Sequence, residues 1–76
     1  AKSEEMVAFV DEKLDFDQID LKILKLLSMG KNNAEIARNI NYSEGTIKNR
    51  ISRMLEMTAL KDRTQLAIFA LQNRII

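Results

Sequence analysis

The 76-residue sequence contains no cysteine, no histidine and no proline, and it has only two glycines. Without cysteine and histidine, the chain cannot form a disulfide scaffold, a thiolate nucleophile or the usual zinc sites. So little glycine and proline leaves few all-β architectures open, because their tight turns depend on these residues. No apolar run approaches the roughly 20 residues of a membrane span, and the first residues lack the pattern of a secretory signal.

The residues that are present suit one small folded domain. The chain is 46% apolar and 30% charged, which is typical of a globular rather than a disordered protein. The net charge of +1 hides an asymmetry: residues 1–20 carry two basic and seven acidic side chains, whereas residues 21–76 carry ten basic and four acidic ones. Net charges of −5 and +6 hint at a polyanionic partner for the later part, although domains without such a partner often share this pattern.

Capping signals mark the first two helices of the main body. Asp17 precedes apolar residues at helical spacing, and Gly30 stands where a left-handed residue would end that helix. Asn32 is followed three residues later by Glu35, the spacing of a capping box, and a short helix with its apolar side inward should follow. Asn41 ends this second helix in the prediction.

A longer third helix is predicted to begin after Ser43. Its apolar residues fall on one stripe at helical spacing, namely Ile47, Ile51, Met54, Leu55 and Thr58. The opposite side carries Lys48, Asn49, Ser52, Arg53 and Glu56.

A fourth helix should begin after Asp62, with Gln65 placed to reach back over its start. Residues 66–71 are apolar almost all round this helix. One of its sides is therefore either deeply buried or in contact with another subunit.

The N-terminal residues form a separate segment in the prediction. Residues 3–14 repeat an apolar residue every four positions behind Ser3, which indicates a helical arm. We therefore expect an all-α chain with residues 1–15 as a partly helical linker or arm and residues 16–76 as a helix-turn-helix domain.

The second and third predicted helices suggest how the domain acts. They are about three residues apart, and a short helix, a tight turn and a longer helix make up the helix-turn-helix layout. The alternative is an ordinary solvated surface helix. Against it, lysine, arginine and asparagine are the side chains that hydrogen-bond guanine and adenine edges in the major groove. Lys31 and Asn33 begin the preceding helix, which crosses the DNA backbone in this layout, so they are candidates for phosphate contacts.

Three stretches together resemble a known family: "FDQIDLKILKLLSMG", "NNAEIARNINYSEGTIKNRISRML" and "DRTQLAIFAL". From Phe16 to Ile76, about 80% of the chain, the sequence is similar to the LuxR-type helix-turn-helix domain of NarL/FixJ-class bacterial response regulators. The resemblance implies a four-helix, cytoplasmic, double-stranded-DNA-binding domain at the C-terminal end of a longer regulator, normally preceded by a receiver domain. It implies no enzymatic activity, cofactor, metal or membrane partner.

The resemblance also suggests roles for individual residues. The base-reading candidates are Lys48, Asn49 and Ser52. The candidates for DNA-backbone contacts are Lys31, Asn33, Thr46, Arg50 and Arg53. In this family the fourth helix commonly forms the dimer contact, for which the candidates here are Ile68, Leu71, Gln72 and Ile75.

Some positions depart from the family pattern. Ile19 stands in place of a usual arginine and Ala34 in place of a usual lysine, which removes one expected phosphate contact. Arg50 replaces a frequent histidine and could add such a contact. Residues 57–59 read Met-Thr-Ala instead of Lys-Leu-Gly, so the third helix is expected to end differently.

Two other functions fit an all-helical chain of this kind. One is the promoter-reading fourth region of a sigma factor, which has the same helix-turn-helix shape but no need of an apolar fourth helix. The other is a helical protein-interaction or dimerisation module, which would not bind duplex DNA even at low salt. An enzyme is the least expected, because the sequence offers no histidine, cysteine, glycine-rich phosphate loop or paired-carboxylate cleft.

Overall fold

The computed structural model describes residues 16–76 and contains four α-helices within them, without a strand. We number them α1 (Gln18–Ser28), α2 (Asn33–Ile40), α3 (Glu44–Thr58) and α4 (Arg63–Gln72). The expected all-α architecture is therefore confirmed for this part of the chain. The helix expected in residues 3–14 lies outside the described residues, and the boundary at residue 15 stays a prediction.

Each helix begins at the cap that the sequence predicts. The four capping side chains accept a hydrogen bond from the backbone N–H three residues further on, which satisfies a donor that the helix itself leaves unpaired. These caps are Asp17, Asn32, Ser43 and Asp62. The box at α2 is reciprocal, because Glu35 accepts from the N–H of Asn32 at 2.9 Å.

The start of α4 differs from the prediction in one detail. Gln65 does reach back, but its Oε1 accepts from the N–H of Lys61 at 3.0 Å rather than from the N–H of Asp62. This bond spans four residues instead of three and ties the loop before the cap to the first turn of α4.

All four helices end in the same way. In each, a backbone N–H two or three positions beyond the last helical residue bonds a carbonyl five residues earlier, and the residue just before that N–H is left-handed, as in a Schellman motif. The left-handed residues have φ angles of 83°, 60°, 58° and 55° and are Gly30, Asn41, Ala59 and Arg74, respectively. Gly30 confirms the predicted end of α1. At the end of α3, alanine occupies a conformation that usually favours glycine.

The core lies between the four helices, with α1 packed mainly against α4 and α2 against α3. The predicted apolar stripe of α3 is confirmed, since Ile47, Ile51 and Met54 are buried while Leu55 and Thr58 are half-buried. The other buried apolar residues come from all three remaining helices and are Ile23, Leu24, Leu27, Ile36, Ala37, Leu66, Ala67 and Ala70. Within residues 16–76, no helix combines the length and the apolar character needed to cross a bilayer.

Candidate nucleic-acid interface

The outer face of α3 presents polar side chains to solvent. Lys48, Asn49 and Ser52 are all exposed. The apolar stripe of α3 fills the core. Because an α-helix has 3.6 residues per turn, these polar residues fall on the side of the helix opposite that stripe. Their predicted contacts with bases stay a prediction, but the side chains are available for such contacts.

The first turn of α3 is polar and open. The hydroxyl of Ser43 accepts from the N–H of Thr46 at 3.1 Å, and the two hydroxyl oxygens are 2.9 Å apart. A Cβ added to Gly45 would meet only the Ser43 Oγ, at 3.9 Å. Packing within the described residues therefore does not require glycine at this position.

Two arginines on α3 pair with carboxylates at the start of α1. Arg50 Nη1 donates to both carboxylate oxygens of Asp17 and to Oδ1 of Asp20, each at 3.0 Å. Arg53 Nη2 donates to Oδ2 of Asp20 at 2.9 Å. Sequence reasoning missed this cluster, which we call the α1–α3 ion cluster and define as Asp17, Asp20, Arg50 and Arg53.

Burial divides the α1–α3 ion cluster into an inner and an outer part. Asp20 is wholly inaccessible, whereas the side chains of Asp17 and Arg53 are 55% and 53% exposed. The N–H of Asp20, followed by the guanidinium of Arg50, lowers the pKa of the Asp17 carboxyl. Hydrogen bonds to Asp17 and Asp20 raise the pKa of Arg50. Asp17 and Arg50 are therefore both charged at neutral pH.

The start of α2 is tied to the start of α4 through Arg63. Its Nη1 donates to Oδ1 of Asn33 at 2.8 Å, and its Nη2 donates to the carbonyl of Lys31 at 3.1 Å. The amide nitrogen of Asn33 and the ammonium of Lys31 take no part in these bonds. Lys31, just before α2, and Asn33, its first residue, thus each keep a donor that can serve another partner.

The predicted DNA contacts fall into two groups in the fold. Thr46, Asn49, Arg50 and Arg53 line one shallow depression on the outer face of α3. Residues 31–33 lie at the start of α2, separate from this depression. A basic and amide-bearing depression beside the exposed residues of α3 can bind an anion and hydrogen-bond to base edges.

The exposed side of α4 carries two large apolar side chains. Ile68 and Leu71 are 47% and 55% exposed, Gln72 is exposed and Ile75 is half-buried. Met29 at the end of α1 is 60% exposed and lines a shallow groove together with Leu71 and Ile75. Exposed apolar side chains grouped in this way are more typical of a contact surface than of a monomer's solvated face.

Fold and surface together define a helix-turn-helix DNA-binding domain: α2 and α3 form the motif, and α1 and α4 support it. The family model for bacterial regulatory proteins of the luxR family matches residues 19–70. The chain belongs to this family. The resemblance seen in the sequence is thereby confirmed.

Curated proteins with similar sequences are transcription regulators. The transcriptional regulatory protein LnrK of Bacillus subtilis (strain 168) is 39% identical over 62 residues, covering 82% of this chain and 28% of the relative. The nitrate/nitrite response regulator protein NarL of Escherichia coli (strain K12) is 40% identical over 53 residues, covering 70% and 24%. The response regulator protein VraR of Staphylococcus aureus (strain NCTC 8325 / PS 47) is 35% identical over 57 residues, covering 75% and 27%.

The chain thus spans about a quarter of the length of these relatives. The function of the domain is DNA-binding transcription regulation, of the kind that response regulators perform through their effector domains.

Proposed function

We propose that residues 16–76 bind double-stranded DNA sequence-specifically as the C-terminal effector domain of a bacterial, cytoplasmic response regulator. In this proposal, a receiver domain precedes the chain in the full-length protein, and residues 1–15 serve as the linker. The proposal depends on one observation above all. Lys48, Asn49 and Ser52 remain exposed on α3 while the other side of the helix is buried in the core.

In the proposed complex, α3 lies in the major groove and its exposed face reads the bases. Lys48 donates to guanine O6 or N7, and Asn49 pairs with adenine N6 and N7. Ser52 lies one turn further along the helix and can donate to, or accept from, either kind of base pair. These three side chains would determine which half-site the domain prefers.

Other residues are proposed to hold the sugar-phosphate backbone. Thr46, Arg50 and Arg53 surround the depression on α3, and Lys31 and Asn33 offer donors from the start of α2. With about four phosphate contacts per domain, the logarithm of affinity would fall against the logarithm of salt concentration with a slope of about −3.6, from about −0.9 per contact.

The proposed assembly on DNA is a homodimer formed through α4. Ile68, Leu71, Gln72 and Ile75 would meet the same residues of a second copy, because a two-fold interface is self-complementary. Burial of Ile68 and Leu71 against the partner would remove their exposed apolar area from water. Two domains would then occupy half-sites with centres about 10 base pairs apart.

The test begins with random-site selection by the purified protein, which yields the preferred half-site. Affinities for the selected duplex are then measured by fluorescence anisotropy. We expect Lys48→Ala to weaken binding by about 1–3 kcal/mol, the usual contribution of a base-reading contact. Lys61→Ala is the matched control, because Lys61 is exposed in the loop before α4 and lines neither the depression on α3 nor the groove beside Leu71.

A second variant tests base reading itself. Asn49→Ala should relax the preference at one base pair of the half-site and leave the preference at the other positions intact. An unchanged preference would show that Asn49 does not read a base. Failure of the unsubstituted protein to bind any duplex at low salt would contradict the proposed function as a whole.

A further inference from the structure

The α1–α3 ion cluster has a consequence for DNA binding that the family assignment does not include. Arg50 is held through a single nitrogen, Nη1, which is shared by three carboxylate oxygens of Asp17 and Asp20. Arg53 is likewise held through Nη2 alone. Within residues 16–76, the remaining guanidinium nitrogens of both arginines form no hydrogen bond, so each group is fixed at one end and open at the other.

The cluster also cancels its own charge, since two arginines face two aspartates. A phosphate seated in the depression formed by Thr46, Asn49, Arg50 and Arg53 would lie a short distance from the Asp17 carboxylate, which contacts Arg50 directly. Like charges at such a distance repel one another, and the 55% exposure of the Asp17 side chain places its charge at the surface. A DNA phosphate and the Asp17 carboxylate would thus both contact the Arg50 guanidinium.

We infer that Asp17 competes with DNA phosphates for Arg50 and thereby lowers the sequence-independent part of the affinity for duplex DNA. This inference rests on the proposed function. The two carboxylates have different roles in it. Asp20 is buried and holds both arginines on the domain, whereas Asp17 is exposed and can give up Arg50 when a phosphate approaches. The competition would act on every duplex alike, because it involves no base contact.

Asp17 can be changed without loss of its helix cap. Asparagine is as good an N-cap as aspartate, so Asp17→Asn should preserve the hydrogen bond from the Asp20 N–H while removing the charge. We expect this variant to bind both the selected duplex and a scrambled duplex about 3–10-fold more tightly. Its salt dependence should steepen by up to about one phosphate contact, close to 0.9 in slope.

Asp62→Asn is the matched control. Asp62 is also an exposed aspartate N-cap, at the start of α4, and the same change removes the same charge. No ion pair of Asp62 is present among the described residues. A smaller gain in affinity for this variant than for Asp17→Asn would support the inference. An equal gain would overturn it, because net charge alone would then explain both results.

A double-mutant cycle isolates the pairing of Asp17 with Arg50. Asp17→Asn, Arg50→Gln and the double variant are compared on both duplexes, with urea unfolding to verify that each is folded. The inference requires that Asp17→Asn tightens binding when Arg50 is present and changes it less when Arg50 is replaced. No tightening in the presence of Arg50, or the same tightening without it, would overturn the inference.

The outcomes separate this inference from the function on which it rests. Tight, selective binding by the unsubstituted protein, together with no gain for Asp17→Asn, would overturn the inference alone. Absence of duplex binding by the unsubstituted protein and by every variant would overturn the proposed function and the inference with it.

Discussion

The outer faces of α3 and α4 differ although both helices contribute to one core. Ile47 and Met54 of α3 are as inaccessible as Leu66 of α4. On the solvent side, α3 carries the cations and amides that suit a polyanion, whereas α4 carries Ile68 and Leu71, which suit an apolar partner. Core packing thus leaves the exposed face of each helix unconstrained, and the two exposed faces indicate two different partners.

The two faces also differ in how they are attached to the rest of the domain. The polar face of α3 is joined to α1 by ion pairs, one of whose partners is the buried Asp20. The exposed residues of α4 rely on the apolar packing of the helix beneath them. Substitutions should therefore affect folding when they break the α3 attachment and affect assembly when they change the α4 surface.

The largest effect on stability is expected for Asp20→Ala. The substitution removes the buried acceptor of Arg50 and Arg53, and a hydrogen bond to a charged group contributes about 1.5–3 kcal/mol. We predict a loss of about 2–3 kcal/mol in the free energy of unfolding, measured by urea denaturation. Glu56→Ala, which removes an exposed carboxylate from α3, should stay within about 0.5 kcal/mol of the unsubstituted protein. Equal stabilities of the two variants would show that the ion cluster does not hold α3.

The next effect is expected on assembly rather than on folding. Leu71→Lys should leave the unfolding free energy nearly unchanged, because the side chain is already 55% exposed. It should weaken binding to a duplex with two half-sites by about 1.5 kcal/mol or more, since burying a leucine contributes about 1.5–3 kcal/mol. Binding to a duplex with one half-site is the control and should not weaken. A loss on both duplexes would assign Leu71 to DNA contact and would remove the contrast between the two faces.

A smaller effect is expected where α3 ends and the chain turns toward α4. Ala59 has a φ of 58°, and alanine pays about 1 kcal/mol for a left-handed conformation that glycine adopts freely. Ala59→Gly should therefore raise the free energy of unfolding by about 0.5–1 kcal/mol in urea denaturation. Gly30→Ala is the reciprocal change at a φ of 83° with open space around it, and it should lower stability. A destabilised Ala59→Gly variant would show that strain is absent at this turn.

The smallest effect is expected on the pH dependence of the free energy of unfolding. The folded state lowers the pKa of Asp17 below its ordinary value of 3.8, so the stabilisation by this carboxylate is complete above that value. It is lost as the pH falls through the lowered pKa. Urea denaturation from pH 5 downward should show a shallower decline for Asp17→Asn than for the unsubstituted protein. Parallel declines would mean that Asp17 has the same pKa folded and unfolded.

Local signals in the sequence were enough to predict the helices. The caps at Asp17, Asn32, Ser43 and Asp62 depend on a side chain and a backbone N–H only three residues apart, so neighbouring residues contain the necessary information. Gly30 is predictable for the same reason. The end of α3 carried no such signal, because alanine has no intrinsic preference for the left-handed region that Ala59 occupies.

The candidate site was only partly predictable. Helical periodicity correctly placed Lys48, Asn49 and Ser52 on an exposed face, since that face is simply opposite the apolar stripe. The pairing of Arg50 and Arg53 with α1 was not foreseen, because its partners are 30–33 residues away in sequence. The packing of α1 against α3 brings these charges together, and no local pattern encodes that packing.

An NMR titration with the selected duplex tests the contrast between α3 and α4 most directly. Backbone amide shifts are followed in the protein at low salt, with a single half-site so that dimerisation on DNA does not contribute. We predict that the changes concentrate at Thr46, Lys48, Asn49 and Ser52 and are small at Ile68 and Leu71. Changes concentrated on α4, with α3 unaffected, would contradict the assignment of α3 as the DNA-reading helix.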